Sequence, residues 1–204
     1  MASVDLLRQH ASAWQAATRH AFLDGVRDGT LAEQAFERWL GQDYRFVADL
    51  LHFQARLLAR APRPAQAVLA GGLVALEAEL TWFEQHGRQR GLALEAERLE
   101  ATEAYRACLG RLDRGPYGPA IVALWALERA YLEAWQSAQP GAPAFRDFVD
   151  HWTVPTFADY VAGLQRAADA ALSYAEHDAT ERAFVEGARR ERAFWDLAFA
   201  ESLR

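Results

Sequence analysis

The sequence of 204 residues contains one cysteine, Cys108, and no lysine, so all 22 of its basic residues are arginine. A single thiol excludes an intramolecular disulfide and any zinc site built from several cysteines, and it fits a reducing compartment, the cytoplasm. Without lysine, no side chain can form the Schiff base that pyridoxal phosphate enzymes and class I aldolases require. Basic charge is not in surplus either: 28 Asp and Glu bring the formal net charge to −6, which argues against nucleic acid as a partner, since phosphate binding needs a concentrated basic surface. No stretch approaches the roughly 18 uninterrupted apolar residues that span a bilayer, and the start, MASVDLLRQHASAW, lacks the basic and apolar regions of a signal peptide. The expectation is a protein without membrane partners. A Gly-rich phosphate loop, a Ser-based nucleophile motif and a CxxC pair are all missing. What the chain does have is 51% hydrophobic residues, with seven Trp, eleven Phe and six Tyr. That is enough for a large packed core, and at this length a single domain is expected.

Apolar residues recur at three- and four-residue spacing between a few Gly and Pro clusters, which predicts an all-α, single-domain helical bundle. The breaks fall at Asp28-Gly29-Thr30, at Ala61-Pro62-Arg63-Pro64, near Gly91, at Arg114-Gly115-Pro116, at Gln139-Pro140-Gly141 and near His177-Asp178, giving about seven helices. The second carries the clearest stripe, through Phe36, Trp39, Leu40, Phe46, Val47, Leu50, Leu51, Leu57 and Leu58, and should be central.

A carboxylate on an apolar stripe is costly to bury unless it is paired or hydrogen-bonded, which makes it the informative exception in an amphipathic helix. Four helices each supply one. Asp43 lies between Trp39-Leu40 and Phe46-Val47; Glu79 lies between Leu76 and Phe83; Glu128 lies between Leu124-Trp125 and Tyr131-Leu132; Glu191 lies between Gly187 and Phe194-Trp195. Tyr105 shares a stripe with Ala101, Cys108 and Leu112. Converging in one bundle, such acids form a polar pocket with aromatic walls, where environment tunes a carboxyl as acid or base. The plainer alternative is that each acid sits at a stripe edge, pairs with an Arg or reaches water. Glu79 and His86, two turns apart, would start a di-metal site only with ligands from other helices, and no metal is expected. His20 is read as a surface or capping residue before a haem ligand, and Cys108 as a buried, inert thiol.

Gly29-Thr30-Leu31, then Phe36, Trp39, Leu40 and Gln42-Asp43-Tyr44, resemble the opening of the TenA/thiaminase II family. The resemblance continues through Glu79-Leu80-Thr81-Trp82-Phe83, Tyr105, Trp125-Ala126-Leu127-Glu128-Arg129-Ala130-Tyr131 and His151-Trp152 with Phe157, Tyr160 and Val161. It ends at Glu191-Arg192-Ala193-Phe194-Trp195-Asp196 and so covers nearly the whole chain. It implies a heme oxygenase-like all-helical fold and activity on the aminopyrimidine part of thiamin and its breakdown products. Well-known members carry a nucleophilic cysteine on the helix corresponding to the fifth here; this chain has Leu127 or Glu128 in that region, depending on a one-residue gap near Gly115. The Trp-Ala-Leu-Glu-x-x-Tyr string instead resembles the branch that lacks the cysteine and carries a glutamate.

Carried over residue by residue, the resemblance makes Asp43 the partner of the pyrimidine's ring nitrogen and amino group. Phe46 stands where many members have a ring-contacting tyrosine, Tyr105 near the catalytic group, and Trp152 in place of another pocket tyrosine. Glu191 matches the glutamate that shuttles protons and Phe194 a ring-stacking phenylalanine. Glu79 is kept as a substrate-binding candidate on its periodicity. The function expected is an aminopyrimidine hydrolase in thiamin pyrimidine salvage that needs no cofactor. Its partner is a small-molecule aminopyrimidine, and the resemblance implies a homodimer or homotetramer. Two other classes stay open: a metal-dependent or cofactor-independent oxidase on the same fold, and an aminopyrimidine-binding protein without catalysis.

Overall fold

Helix-forming periodicity and Gly or Pro punctuation translate directly into the backbone of the computed structural model, which describes residues 2–92, 94, 96–172 and 177–199. Among the described residues there are ten α-helices and a terminal 3₁₀ turn, with no strand. The helices are α1 (Ser3–Gln9), α2 (Ala11–Thr18), α3 (Ala21–Asp28), α4 (Glu33–Ala59), α5 (Arg63–Arg90), α6 (Glu100–Arg114), α7 (Tyr117–Ser137), α8 (Arg146–Trp152), α9 (Pro155–Leu172) and α10 (His177–Asp196), followed by the turn Leu197–Phe199.

The all-α expectation holds, but two of the seven expected helices are divided. The first becomes α1, α2 and α3. His10 leaves helical geometry between α1 and α2, and Arg19 and His20 are extended. His20 then caps α3, its Nδ1 accepting the Phe22 N–H at 3.1 Å. A polar side chain at this position satisfies a donor that the helix start leaves open, so of the two readings given for His20, surface or capping, the capping one is seen. The sixth expected helix divides into α8 and α9 at Pro155, which opens α9 where its missing N–H costs nothing. Gly29 and Gly91 end α3 and α5 at φ of 74° and 67°, left-handed values that glycine adopts without strain. The break expected near His177 coincides with the start of α10; residues 173–176 lie outside the described residues.

The chain separates into two compact units, Met1–Leu31 with Gly115–Arg192, and Ala32–Arg114 with Ala193–Arg204. In the first, α7 packs against α2, α3, α8 and α9, and α1 packs against α2 and α9. Helix α7 is apolar nearly all round, with Ile121, Val122, Leu124, Trp125, Leu132 and Trp135 buried, the pattern of a helix enclosed by neighbours. In the second unit, α4 packs against α5, α6 and the terminal turn. Its stripe buries Phe36, Trp39, Leu40, Phe46, Val47, Leu50 and Leu57 as expected and adds Phe53, whereas Leu51 and Leu58 are only half-buried. Trp39 stacks on Trp195 at 5.5 Å and 15°, and Arg38 donates to the Ala198 carbonyl at 3.0 Å, fastening the terminal turn to α4. No described helix is long and apolar enough to cross a membrane.

Candidate active site

Three acidic side chains are buried among the described residues: Asp43 at 1% exposure, Glu191 at 4% and Glu128 at 7%. They are three of the four acids that periodicity places on stripes. Glu79 is the fourth and is only half-buried. Helix α5 buries a narrow line, Ala65, Leu69, Gly72, Leu76, Phe83 and Gly87, and Glu77 and Ala78 beside Glu79 are exposed. Glu79 therefore stands at the margin of its stripe, where a carboxylate keeps contact with water.

In the second unit, Asp43 lies one turn before Phe46 on α4. Phe46 meets Tyr105 of α6 at a ring-centroid distance of 4.5 Å and Phe194 of α10 at 5.5 Å, and Tyr105 meets Phe194 edge-on at 6.2 Å. Three sequence-predicted residues from three helices thus form one aromatic cluster, with Trp39 edge-on to Phe194 at 6.2 Å. Such rings provide flat apolar surface that suits a heterocycle. Tyr44, the last residue of the Gln-Asp-Tyr run, donates to Glu84 of α5 at 3.4 Å. Cys108 is buried one turn beyond Tyr105 on α6.

Sequence reasoning does not assign a role to Gln42, which is buried beside Asp43. Its side-chain oxygen accepts the Leu99 N–H at 2.9 Å and the Thr102 hydroxyl at 2.7 Å, and its amide nitrogen donates to the Glu97 carbonyl at 3.0 Å. The signal was available: a polar residue three positions after Trp39 on an apolar stripe, the same exception that marks the acids. The segment it holds is further secured by Arg45, which donates to the Ala96 carbonyl at 3.1 Å, and by a two-bond ion pair of Arg98 with Asp49 at 2.9 and 3.1 Å.

In the first unit, Glu128 projects from α7, and the next residue, Arg129, anchors that helix. Arg129 pairs with Glu133 at 2.7 Å, donates to Gln165 of α9 at 3.1 Å and lies 5.9 Å from the Trp125 ring centre. Trp14 of α2 donates to the other Glu133 oxygen at 2.8 Å. Trp152 packs on Trp135 at 4.4 Å and edge-on to Tyr131 at 5.8 Å, both on the helix that carries Glu128. Glu191 lies on α10 two turns after Phe184, which stacks with Trp14 and Trp125 at 5.5 and 6.3 Å. At the start of α7, burial pushes the Tyr117 phenol up to about 12, and its hydroxyl has no hydrogen-bond partner among the described residues.

The Glu79 and His86 pair considered for a metal lies on α5, where His86 donates from Nδ1 to the Trp82 carbonyl at 2.9 Å and packs on the Trp82 ring at 3.9 Å. Among the described residues, no three of His, Cys, Asp and Glu come together as a metal ion would require.

The model of the TENA/THI-4/PQQC family matches residues 7–201. The chain belongs to this family. A probable bifunctional TENA-E protein from Glycine max is 28% identical over 94% of this chain and 90% of its own length. An aminopyrimidine aminohydrolase from Halalkalibacterium halodurans is 26% identical over 93% and 92%. Among solved structures, a TenA homologue from Pyrococcus furiosus superposes with a TM-score of 0.91 at 27% identity, covering 97% of this chain and all of that one. A TenA homologue from P. horikoshii gives 0.86 at 21% identity, covering 98% and 99%, a likeness of fold.

Proposed function

We propose that this member of the family is an aminopyrimidine hydrolase that returns the pyrimidine of degraded thiamin to the hydroxymethyl form. The observation that carries the reading is the burial of Asp43, Glu128 and Glu191. These are the three stripe acids whose positions match, or stand beside, functional positions in the family. A carboxylate is kept buried where it is hydrogen-bonded, paired or used as an acid, a base or a ligand partner, and the match to the family's functional positions favours the last three uses here. The aminohydrolase from H. halodurans supports the same class of reaction.

In the proposed reaction the flat heterocycle stacks on Phe46 and Phe194, and Asp43 accepts from its amino group and pairs with its ring nitrogen. In the second unit Tyr105 packs on both rings, and in the first Trp152 packs on Trp135 and Tyr131; the family resemblance gives both as pocket aromatics. Glu128 or Glu191 takes a proton from water; the water oxygen bonds to carbon, the C–N bond breaks, and the other glutamate delivers a proton to the leaving nitrogen. Glu79, half-buried on α5, is kept as a secondary contact. No cofactor is called for by these steps.

We read the chain as a member of the glutamate branch, a reading supported by its one cysteine, Cys108, lying on α6, while α7 carries Glu128 and no thiol. It is read as one functional domain, since the family match runs from residue 7 to residue 201. It is further read as cytoplasmic and as a homodimer or homotetramer, which light scattering of the purified protein checks. The test of function is mass spectrometry of separate reactions with formylaminopyrimidine, aminopyrimidine and thiamin. Conversion of either pyrimidine without cleavage of thiamin is the expected result; ligand binding without turnover would mark a carrier and overturn the hydrolase reading.

A further inference from the structure

We propose that Gln42 is a positioning residue that sets the Phe46–Tyr105 ring spacing by capping α6 from α4, and so controls affinity for the heterocycle. This rests on the reading that those rings hold the pyrimidine. The start of α6 needs outside help. Leu99 immediately precedes Glu100, the first residue of α6, and a leucine side chain has no oxygen with which to satisfy donors at a helix start. The oxygen comes from Gln42 instead. Its two lone pairs take the Leu99 N–H at 2.9 Å and the Thr102 hydroxyl at 2.7 Å, while its amide nitrogen donates to the Glu97 carbonyl at 3.0 Å. Three bonds from one amide fix both the height and the rotation of α6 against α4.

The clamp lies one turn from the ring pair on each helix. Gln42 is four residues before Phe46, and Thr102 is three before Tyr105, so each clamp residue shares a helix face with its ring. Gln42 and Thr102 are buried, at 4% and 0% exposure, where a lost partner is not replaced freely by water. The hydrogen bonds of Arg45 to the Ala96 carbonyl and of Arg98 to Asp49 hold the segment before α6, whereas the Gln42 bond to Thr102 lands within the first turn of α6 itself.

The test compares wild type with Thr102→Val, which keeps shape and removes one clamp bond, and Thr102→Ser, which restores the hydroxyl. Steady-state kinetics with aminopyrimidine are measured well below each melting temperature, and a ligand-free crystal structure of Thr102→Val is determined. The clamp predicts a KM raised on the order of tenfold in Thr102→Val with kcat within about twofold, and recovery in Thr102→Ser. It also predicts a Phe46–Tyr105 centroid distance moved from 4.5 Å. A purely structural role would lower the melting temperature and leave KM unchanged, which overturns the proposal. If the wild type neither binds nor converts the aminopyrimidine, the functional reading fails, and the ring spacing alone decides the clamp: displaced rings support it and undisturbed rings overturn it. Should Thr102→Val not fold, Gln42→Glu, which keeps the acceptor oxygen and loses the donor to Glu97, carries the same measurements.

Discussion

Helices α7 and α5 are both long, and each carries a glutamate at a stripe position, yet the two glutamates live in different surroundings. Helix α7 belongs to the first unit and is enclosed by α2, α3, α8 and α9; Glu128 is buried along with the residues on either side of its turn, Trp125, Leu127 and Leu132. Helix α5 belongs to the second unit and packs on α4 along one narrow line, and Glu79 stands at the edge of that line. The spacing of a stripe says which way a residue points, but the number of neighbouring helices decides how far it is from water. A charge enclosed on several sides must be functional or compensated, whereas a charge at a margin costs little and signifies little.

The largest expected effect sharpens this contrast in the first unit. On the proposed function, Glu191→Gln removes a proton carrier while keeping shape and should lower kcat by about 10²–10⁴ fold, as loss of a general acid or base does; single-turnover product formation measures it. Next comes a binding effect in the second unit. If Asp43 binds the pyrimidine as proposed, Asp43→Asn removes a charge-assisted acceptor and should raise KM for the aminopyrimidine by roughly tenfold to a hundredfold with a smaller change in kcat. A third comparison tests enclosure itself by denaturant unfolding: Leu124→Ala on α7 should cost about 2–5 kcal/mol, and Val74→Ala on the exposed side of α5, at 72% exposure, should stay within about 0.5 kcal/mol. Equal losses at the two positions would break the comparison.

The smallest effect is one of pH. The native fold holds Tyr117 as a neutral phenol with its pKa raised to about 12 by burial, whereas an unfolded tyrosine ionises near 10. Its contribution is therefore intact below pH about 10 and is lost as pH rises toward about 12, because the unfolded state gives up its proton first. Unfolding measured from pH 9 to 11.5 should show a shallower alkaline loss of stability in Tyr117→Phe than in wild type.

Much of this arrangement was legible from the sequence, because helical periodicity and Gly or Pro breaks are local. Asp43, Glu128 and Glu191 stood out as acids on apolar stripes and are buried. The aromatic cluster of Phe46, Tyr105 and Phe194 was named through the family resemblance, and its rings do meet. Glu79 takes the plainer of the two readings, a carboxylate at a stripe edge, and periodicity alone does not choose between them because it carries no count of neighbours. The divisions at His10, at Arg19-His20 and at Pro155 were missed because each depends on a single residue inside an otherwise helical pattern. Gln42 shows in the sequence only as a polar residue on an apolar stripe, and its bonding partners do not, because they depend on how residues 55 to 60 positions away fold back onto α4.

The most direct test of the central claim is the rate of aminopyrimidine conversion by wild type, Glu128→Gln and Glu79→Gln, followed by mass spectrometry, with thermal unfolding recorded on the same preparations. Near-complete loss of turnover in folded Glu128→Gln, beside a kcat within about twofold of wild type in Glu79→Gln, where loss of a secondary contact shows only in KM, is the predicted result. Wild-type turnover in Glu128→Gln would contradict the account, because the enclosed glutamate would then have no part in the chemistry.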